Sequence, residues 1–85
     1  MAAIRGYTLS YCPWCKKAKR FFAERDILID CVDYDLVSKE EQQAITAEIK
    51  ELSGGDVTFP CIIIDGQAVL GYHPDRYAEL LGLEQ

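Results

Sequence analysis

An α/β fold of order βαβαββα, with a four-stranded mixed sheet and three helices, is what this 85-residue sequence predicts. Three observations predict it. Short runs rich in β-branched and aromatic residues alternate with segments of helical period. Ser38-Lys39-Glu40-Glu41 forms a capping box that opens a middle helix. Asp65-Gly66 stands between two apolar runs as a two-residue hairpin signal. The first half is therefore a βαβ unit with parallel strands and a right-handed crossover. The second half is a hairpin followed by a helix, and the whole is a sheet with helices packed on it.

Each element has its own local reason. Ile4 to Leu9 is an apolar strand that runs into a cysteine motif. Residues 13 to 25 have helical period, with Cys15, Ala18, Phe21 and Phe22 three or four apart on one face. Ile27 to Tyr34 is predicted as the second strand. The helix that Ser38 caps presents Ile45, Ile49 and Leu52 to the core and stops at Gly54-Gly55. Pro60 to Ile64 is the third strand, with proline at its first position, where a missing N–H is tolerated. Gln67 to Leu70 pairs antiparallel with it. Pro74 opens the last helix near its first position, and Tyr77, Leu80 and Leu81 form its buried face.

Composition narrows the class. Residues 1–85 suffice for one domain, and 49% hydrophobic residues favour a folded one. A net charge of −5 argues against nucleic acid as a partner. No apolar stretch is long enough to span a membrane. Met1-Ala2-Ala3-Ile4-Arg5 lacks the charged and apolar regions of a signal peptide, so a cytoplasmic location is expected. Four cysteines in such a chain point to catalytic, redox or metal chemistry rather than structural disulfides.

Cys12-Pro13-Trp14-Cys15 lies where the first strand meets the first helix. A cysteine there sits at the positive end of the helix dipole, among unpaired backbone N–H groups. Such cysteines have a pKa of roughly 3.5 to 7.5, against about 8.5 for a free thiol. Cys12, ahead of the helix, is expected to be exposed and to attack. Cys15, one turn in on the apolar face, is expected to be buried and to resolve the mixed disulfide. Pro13 fixes φ at the helix start. Trp14 offers an apolar wall or stacking surface. Lys16 is the nearest ammonium group and is expected to support the thiolate, while Lys19 and Arg20 read as a solvated helix face. A structural zinc needs four ligands. Cys31 and Cys61 are isolated and His73 is the sole histidine, so no metal site is expected. Cys31 and Cys61 read as core residues, with Cys61 able to modulate the site as the other reading.

A Cys-x-x-Cys beside a βαβ unit is a thioredoxin-like redox signature. The whole chain resembles the glutaredoxins, through Tyr7-Thr8, Cys12-Pro13-Trp14-Cys15, Thr58-Phe59-Pro60, Asp65-Gly66, Gly71 and Asp75. The resemblance implies the thioredoxin/glutaredoxin fold and a thiol–disulfide oxidoreductase that works by a dithiol mechanism in electron transport and cell redox homeostasis. It also implies disulfide-containing protein substrates, no tightly bound cofactor and a monomer. Pro60 would be a cis-proline facing the cysteines, with the Phe59 backbone presented to an extended substrate. Trp14, Phe59, Pro60, Gly71, Tyr72, His73 and Asp75 are the implied substrate-binding residues; Tyr72 and His73 read equally as packing and capping residues. With the first strand lying between those of Cys31 and Cys61, the two are about 9.5 Å apart. A disulfide needs about 7 Å or less, so none is expected.

The electron donor stays open. Glutathione is one candidate, but the cations usual for its two carboxylates are missing. Leu9 stands three positions before Cys12, Gly54-Gly55-Asp56 precedes the Thr58-Phe59-Pro60 segment, and Gly71-Tyr72-His73-Pro74-Asp75 replaces a Gly-Gly-x-Asp run. That last run is similar to one in the redoxins that serve ribonucleotide reductase and are reduced by thioredoxin reductase. Val57-Thr58-Phe59-Pro60 and the capped second helix resemble glutaredoxin-like proteins of anaerobes linked to ferredoxin-dependent reductases. Some glutaredoxins hold an iron–sulfur cluster between two subunits, so an iron–sulfur carrier is the alternative reading.

Overall fold

The computed structural model describes residues 4–82. The reading of Met1 to Ala3 as part of a leaderless start lies outside them. The elements are β1 (Ile4–Thr8), α1 (Pro13–Glu24), β2 (Asp30–Asp33), a 3-10 turn (Tyr34–Leu36), α2 (Lys39–Ser53), β3 (Cys61–Ile64), β4 (Gln67–Leu70) and α3 (Pro74–Leu81). The sheet order is β2-β1-β3-β4. β1 runs parallel to β2 and antiparallel to β3, and β3 is antiparallel to β4. The sheet is mixed and the order is βαβαββα, as the sequence predicts.

The period of two along the strands splits the core in two layers. Ile4, Ile62 and Ile64 point to one side, against Ala18, Phe21 and Phe22 of α1 and Tyr77 and Ala78 of α3. Tyr7, Cys61 and Ile63 point to the other, against Ile45 and Ile49 of α2. All four residues of β3 are buried, so a strand covered on both faces reads as a continuous apolar run. Phe21, Phe22 and Tyr77 meet edge-on or tilted at 5.1–5.4 Å between ring centroids. Each such buried ring contributes about 1.5–3 kcal/mol. Gly6 is closely packed: a Cβ there would come within 3.2–3.3 Å of Ile62, Cys31 and Ile29.

Local signals hold at most helix ends. The Ser38 hydroxyl accepts from the Glu41 N–H at 3.2 Å, giving the capping bond at the start of α2. Gly54, with φ +83°, closes α2, its N–H bonded to the Lys50 carbonyl. Asp65 and Gly66, with φ of +51° and +79°, form the hairpin turn.

Three expectations need correction. The second strand begins at Asp30 rather than Ile27 and ends at Asp33, with Tyr34 already in the 3-10 turn. The cause is the end of α1, where Asp26 takes φ +55°. Its N–H bonds Ala23 O and the Ile27 N–H bonds Phe22 O. This is a Schellman closure made without glycine, and it consumes residues that look like strand. Ile27 packs back on the α1 layer, while Leu28 is 95% exposed. Leu52 does not complete the buried face of α2; it is 39% exposed and belongs to neither core layer. Helical period shows which way a residue points, but not where the sheet beneath it ends. In α3 the fully buried positions are Tyr77 and Ala78, with Leu80 and Leu81 only partly covered.

Candidate active site

Cys12 is the N-cap of α1, with extended φ/ψ of −87° and 120°, and Pro13 opens the helix. The Cys12 N–H is tied back to Leu9 O, and its carbonyl accepts from Lys16 N. The sulfur is left partly exposed at the helix N-terminus. Burial is the largest single effect on it and raises its pKa. Hydrogen bonds from the Cys15 N–H, the Cys15 thiol and the Trp14 N–H together outweigh burial and hold the thiol below its ordinary value. These are the unpaired donors of a helix start, turned on a sulfur instead of a capping oxygen.

Cys15 is fully buried. Burial pushes its thiol up to about 11, although the Leu9 N–H donates to the sulfur at 3.3 Å. The hydrogen bond to Cys12 and the nearness of that sulfur raise it further, and the charge of Lys19 lowers it. Lys16 is exposed on α1 directly after Cys15. Lys19 acts on Cys15 from four positions along the helix, because positions four apart share one face. Lys19 is therefore not a bare solvated residue. Its Nζ lies 3.0 Å from Asp33 Oδ1, which also accepts from the buried Thr8 hydroxyl at 2.6 Å. These two bonds, Thr8 first, hold the Asp33 carboxyl below the usual carboxylate range.

Two positions further on, Asp35 repeats the device. The Ser10 N–H donates to Asp35 Oδ1 at 2.8 Å, and the Ser10 hydroxyl donates to Oδ2. Thr8 and Asp33 are the last paired residues of β1 and β2. Beyond them the ladder continues through the Ser10 side chain and backbone instead of backbone alone. The loop that carries Cys12 is thus pinned by two carboxylates. Sequence reasoning missed both. The signal was the matching spacing of two between Thr8 and Ser10 and between Asp33 and Asp35, which has meaning only with the strand register in hand.

Beside the cysteines, Trp14, Thr58, Phe59, Pro60, Gly71 and Tyr72 line a groove of about 310 Å³. The Phe59–Pro60 peptide is cis, as the resemblance implies. Pro60 O accepts from the Gly71 N–H at 2.7 Å, and Gly71 O accepts from the buried Tyr77 hydroxyl at 2.7 Å. Gly71 itself has φ +90°. Trp14, 55% exposed, packs on Tyr72 with centroids 6.0 Å apart. Phe59 is half-buried against Tyr34 at 5.0 Å. Of the expected substrate-binding residues, the structure brings Trp14, Phe59, Pro60, Gly71 and Tyr72 together. It places His73 at the N-cap of α3, folded back toward Gly71, and Asp75 in the first turn of that helix. A larger hollow of about 510 Å³ lies against α2, lined by Tyr34, Lys39, Gln42, Gln43, Thr46, Ala47 and Lys50, and holds no cysteine.

Cys31 and Cys61 are free thiols on strands separated by β1. No group of three or more metal-ligating side chains is found among the described residues. None of their helices is long and apolar enough to cross a membrane.

Known proteins agree with this geometry. The family model described as Glutaredoxin matches residues 4–69. Glutaredoxin 1 of Rickettsia typhi is 35% identical over 79 residues, which covers 93% of this chain and 67% of the relative. The glutaredoxin-like 8.6 kDa protein of the Clostridium pasteurianum rubredoxin operon is 28% identical over 78 residues, covering 92% and 96%. The crystal structure of the glutaredoxin from Methanosarcina mazei Go1 matches with a TM-score of 0.86 at 30% identity, covering 94% of this chain and 78% of that one.

Proposed function

The chain belongs to the glutaredoxin family, and from that premise we propose that it reduces protein or small-molecule disulfides by a dithiol route. The observation that carries the proposal is the asymmetry of its two sulfurs. One is partly exposed and held toward the thiolate by helix N–H groups; the other is buried one turn away and held toward the thiol.

The Cys12 thiolate attacks one sulfur of a substrate disulfide. A Cys12–substrate disulfide forms, and the other substrate sulfur leaves as a thiolate that takes a proton from water. Cys15 then loses its proton and attacks Cys12. The Cys12–Cys15 bond forms and the second substrate thiol is released. Two electrons pass from the protein to the substrate, and no resident cofactor is needed. The groove beside Cys12 suits an extended segment laid along cis-Pro60, with Trp14 and Tyr72 as one wall. Glutathione, thioredoxin reductase or a ferredoxin-linked reductase returns the electrons, and parallel assays with each identify the donor.

The test is a single turnover of pre-reduced protein with a peptide disulfide. Cys12→Ser is expected to abolish reduction, and Cys15→Ser to accumulate a mixed disulfide visible by mass. Reduction at the normal rate by the Cys12→Ser protein overturns the reading.

A further inference from the structure

Helix α1 carries Lys16, Lys17, Lys19 and Arg20 in a chain whose net charge is −5. Asp33 takes up Lys19. Lys16, Lys17 and Arg20 are exposed and form no ion pair among the described residues. Lys17 and Arg20 line a hollow of about 260 Å³ together with Phe21, Glu24 and Tyr72. Two cations against the single carboxylate of Glu24 leave that hollow net positive. Its position matters more than its charge. Tyr72 is a wall of both this hollow and the groove beside the cysteines. Lys17 Nζ lies 4.4 Å from the centroid of the Trp14 ring, whose other neighbour is Tyr72. The groove and the hollow are adjacent across one aromatic ridge, and Lys17 is held at the crest by its cation–π contact.

We propose that the hollow is a specificity subsite for an acidic side chain. Its occupant is an extended segment of a disulfide-bonded protein substrate that carries Asp or Glu within a few residues of the cysteine attacked by Cys12. The cysteine lies in the Trp14–Pro60 groove, and the carboxylate crosses the ridge to Lys17 and Arg20. Lys16 adds to the field without lining the hollow. An acidic protein repels acidic partners at long range, so a local cationic strip beside the reactive sulfur both orients such a partner and raises its encounter rate. This inference rests on the disulfide-reductase reading and adds its substrate class.

The experiment compares two peptide disulfides of equal length, one with Asp and Glu flanking the cysteine and one with Asn and Gln. Second-order rates are measured with pre-reduced protein at low salt. The acidic peptide is expected to react at least about threefold faster, with the advantage fading as salt approaches 1 M. In the double variant Lys17→Gln, Arg20→Gln the ratio of the two rates is expected to fall to about one. Lys39→Gln, Lys50→Gln makes the same charge change on α2 and is expected to keep the ratio, as is the swap Lys17→Arg, Arg20→Lys. Equal rates in the unaltered protein overturn the subsite, as does a ratio that survives the first double variant or vanishes equally in the α2 control. If neither peptide is reduced, the disulfide-reductase reading itself fails.

Discussion

Cys12 and Cys15 at the start of α1, and Cys31 and Cys61 in the strands, set the same residue type in two environments. Burial pushes all four sulfurs up, and for three it prevails: Cys15 and Cys61 rise to about 11, and Cys31 moves in the same direction. Cys12 alone is lowered, because three donors converge on it. Cys61 is as buried as Cys15, yet it lies in the α2 layer, where nearby Glu48 disfavours a thiolate further. The lowered thiol is a property of the helix terminus and of having a second sulfur one turn away.

The most severe test of that contrast is deletion of each sulfur. Cys12→Ser is expected to bring peptide-disulfide reduction to the uncatalysed rate. Cys31→Ala and Cys61→Ala are expected to stay within about twofold of the unaltered protein. A loss at Cys61 comparable to that at Cys12 would make it a third participant.

Alkylation reads the same contrast without turnover. A lowered thiol keeps thiolate to lower pH, so at pH 7 Cys12 is expected to react with iodoacetamide at least about a hundredfold faster than Cys61. Peptide mapping after a timed quench gives both rates in one sample.

The Lys19–Asp33 pair offers a finer adjustment. Lys19→Met removes the charge that lowers Cys15, so resolution of the mixed disulfide is expected to slow about threefold at pH 7. Asp33→Asn keeps an acceptor for Thr8 but frees the Lys19 charge, and resolution is expected to quicken. Opposite shifts of the pH–rate profile identify an electrostatic effect; parallel losses indicate only that both residues hold the loop.

The smallest effect is on stability. Cys61 holds its proton to about pH 11 when folded, whereas an ordinary thiol loses it near 9. The unfolded chain therefore binds fewer protons over that window, and stability falls as pH rises from 9 to 11. The slope is about 1 kcal/mol per pH unit for each such group. Cys15 contributes likewise. Urea titrations of the reduced protein are expected to show a shallower slope for Cys61→Ala, with no change below pH 8.

What was legible in the chain was whatever a short segment decides alone. Ser38 caps α2, Asp65-Gly66 turns the hairpin, Pro74 opens α3, and a cysteine before Pro13 meets unpaired N–H groups. What was misread depended on a neighbour. Asp26 adopts a left-handed conformation that no local signal announced, and it displaced the start of β2. Leu52 has the right helical phase but lies outside both core layers. Lys19 reads as part of a solvated helix face, yet Asp33 at the end of β2 takes it up.

The sequence by itself determined the order of elements, and that one cysteine precedes the first helix while the other lies one turn in on its apolar face, because helix termini and hydrophobic period are local properties. Only the tertiary structure decided which groups surround those sulfurs. The parallel register of β1 and β2 brings Asp33 and Asp35 to Thr8 and Ser10. The packing of α1 on the sheet carries Lys19 to Asp33, and the end of β4 brings Tyr72 to Trp14. Such contacts join residues far apart in the chain, and their identity follows from register and packing that no single segment encodes.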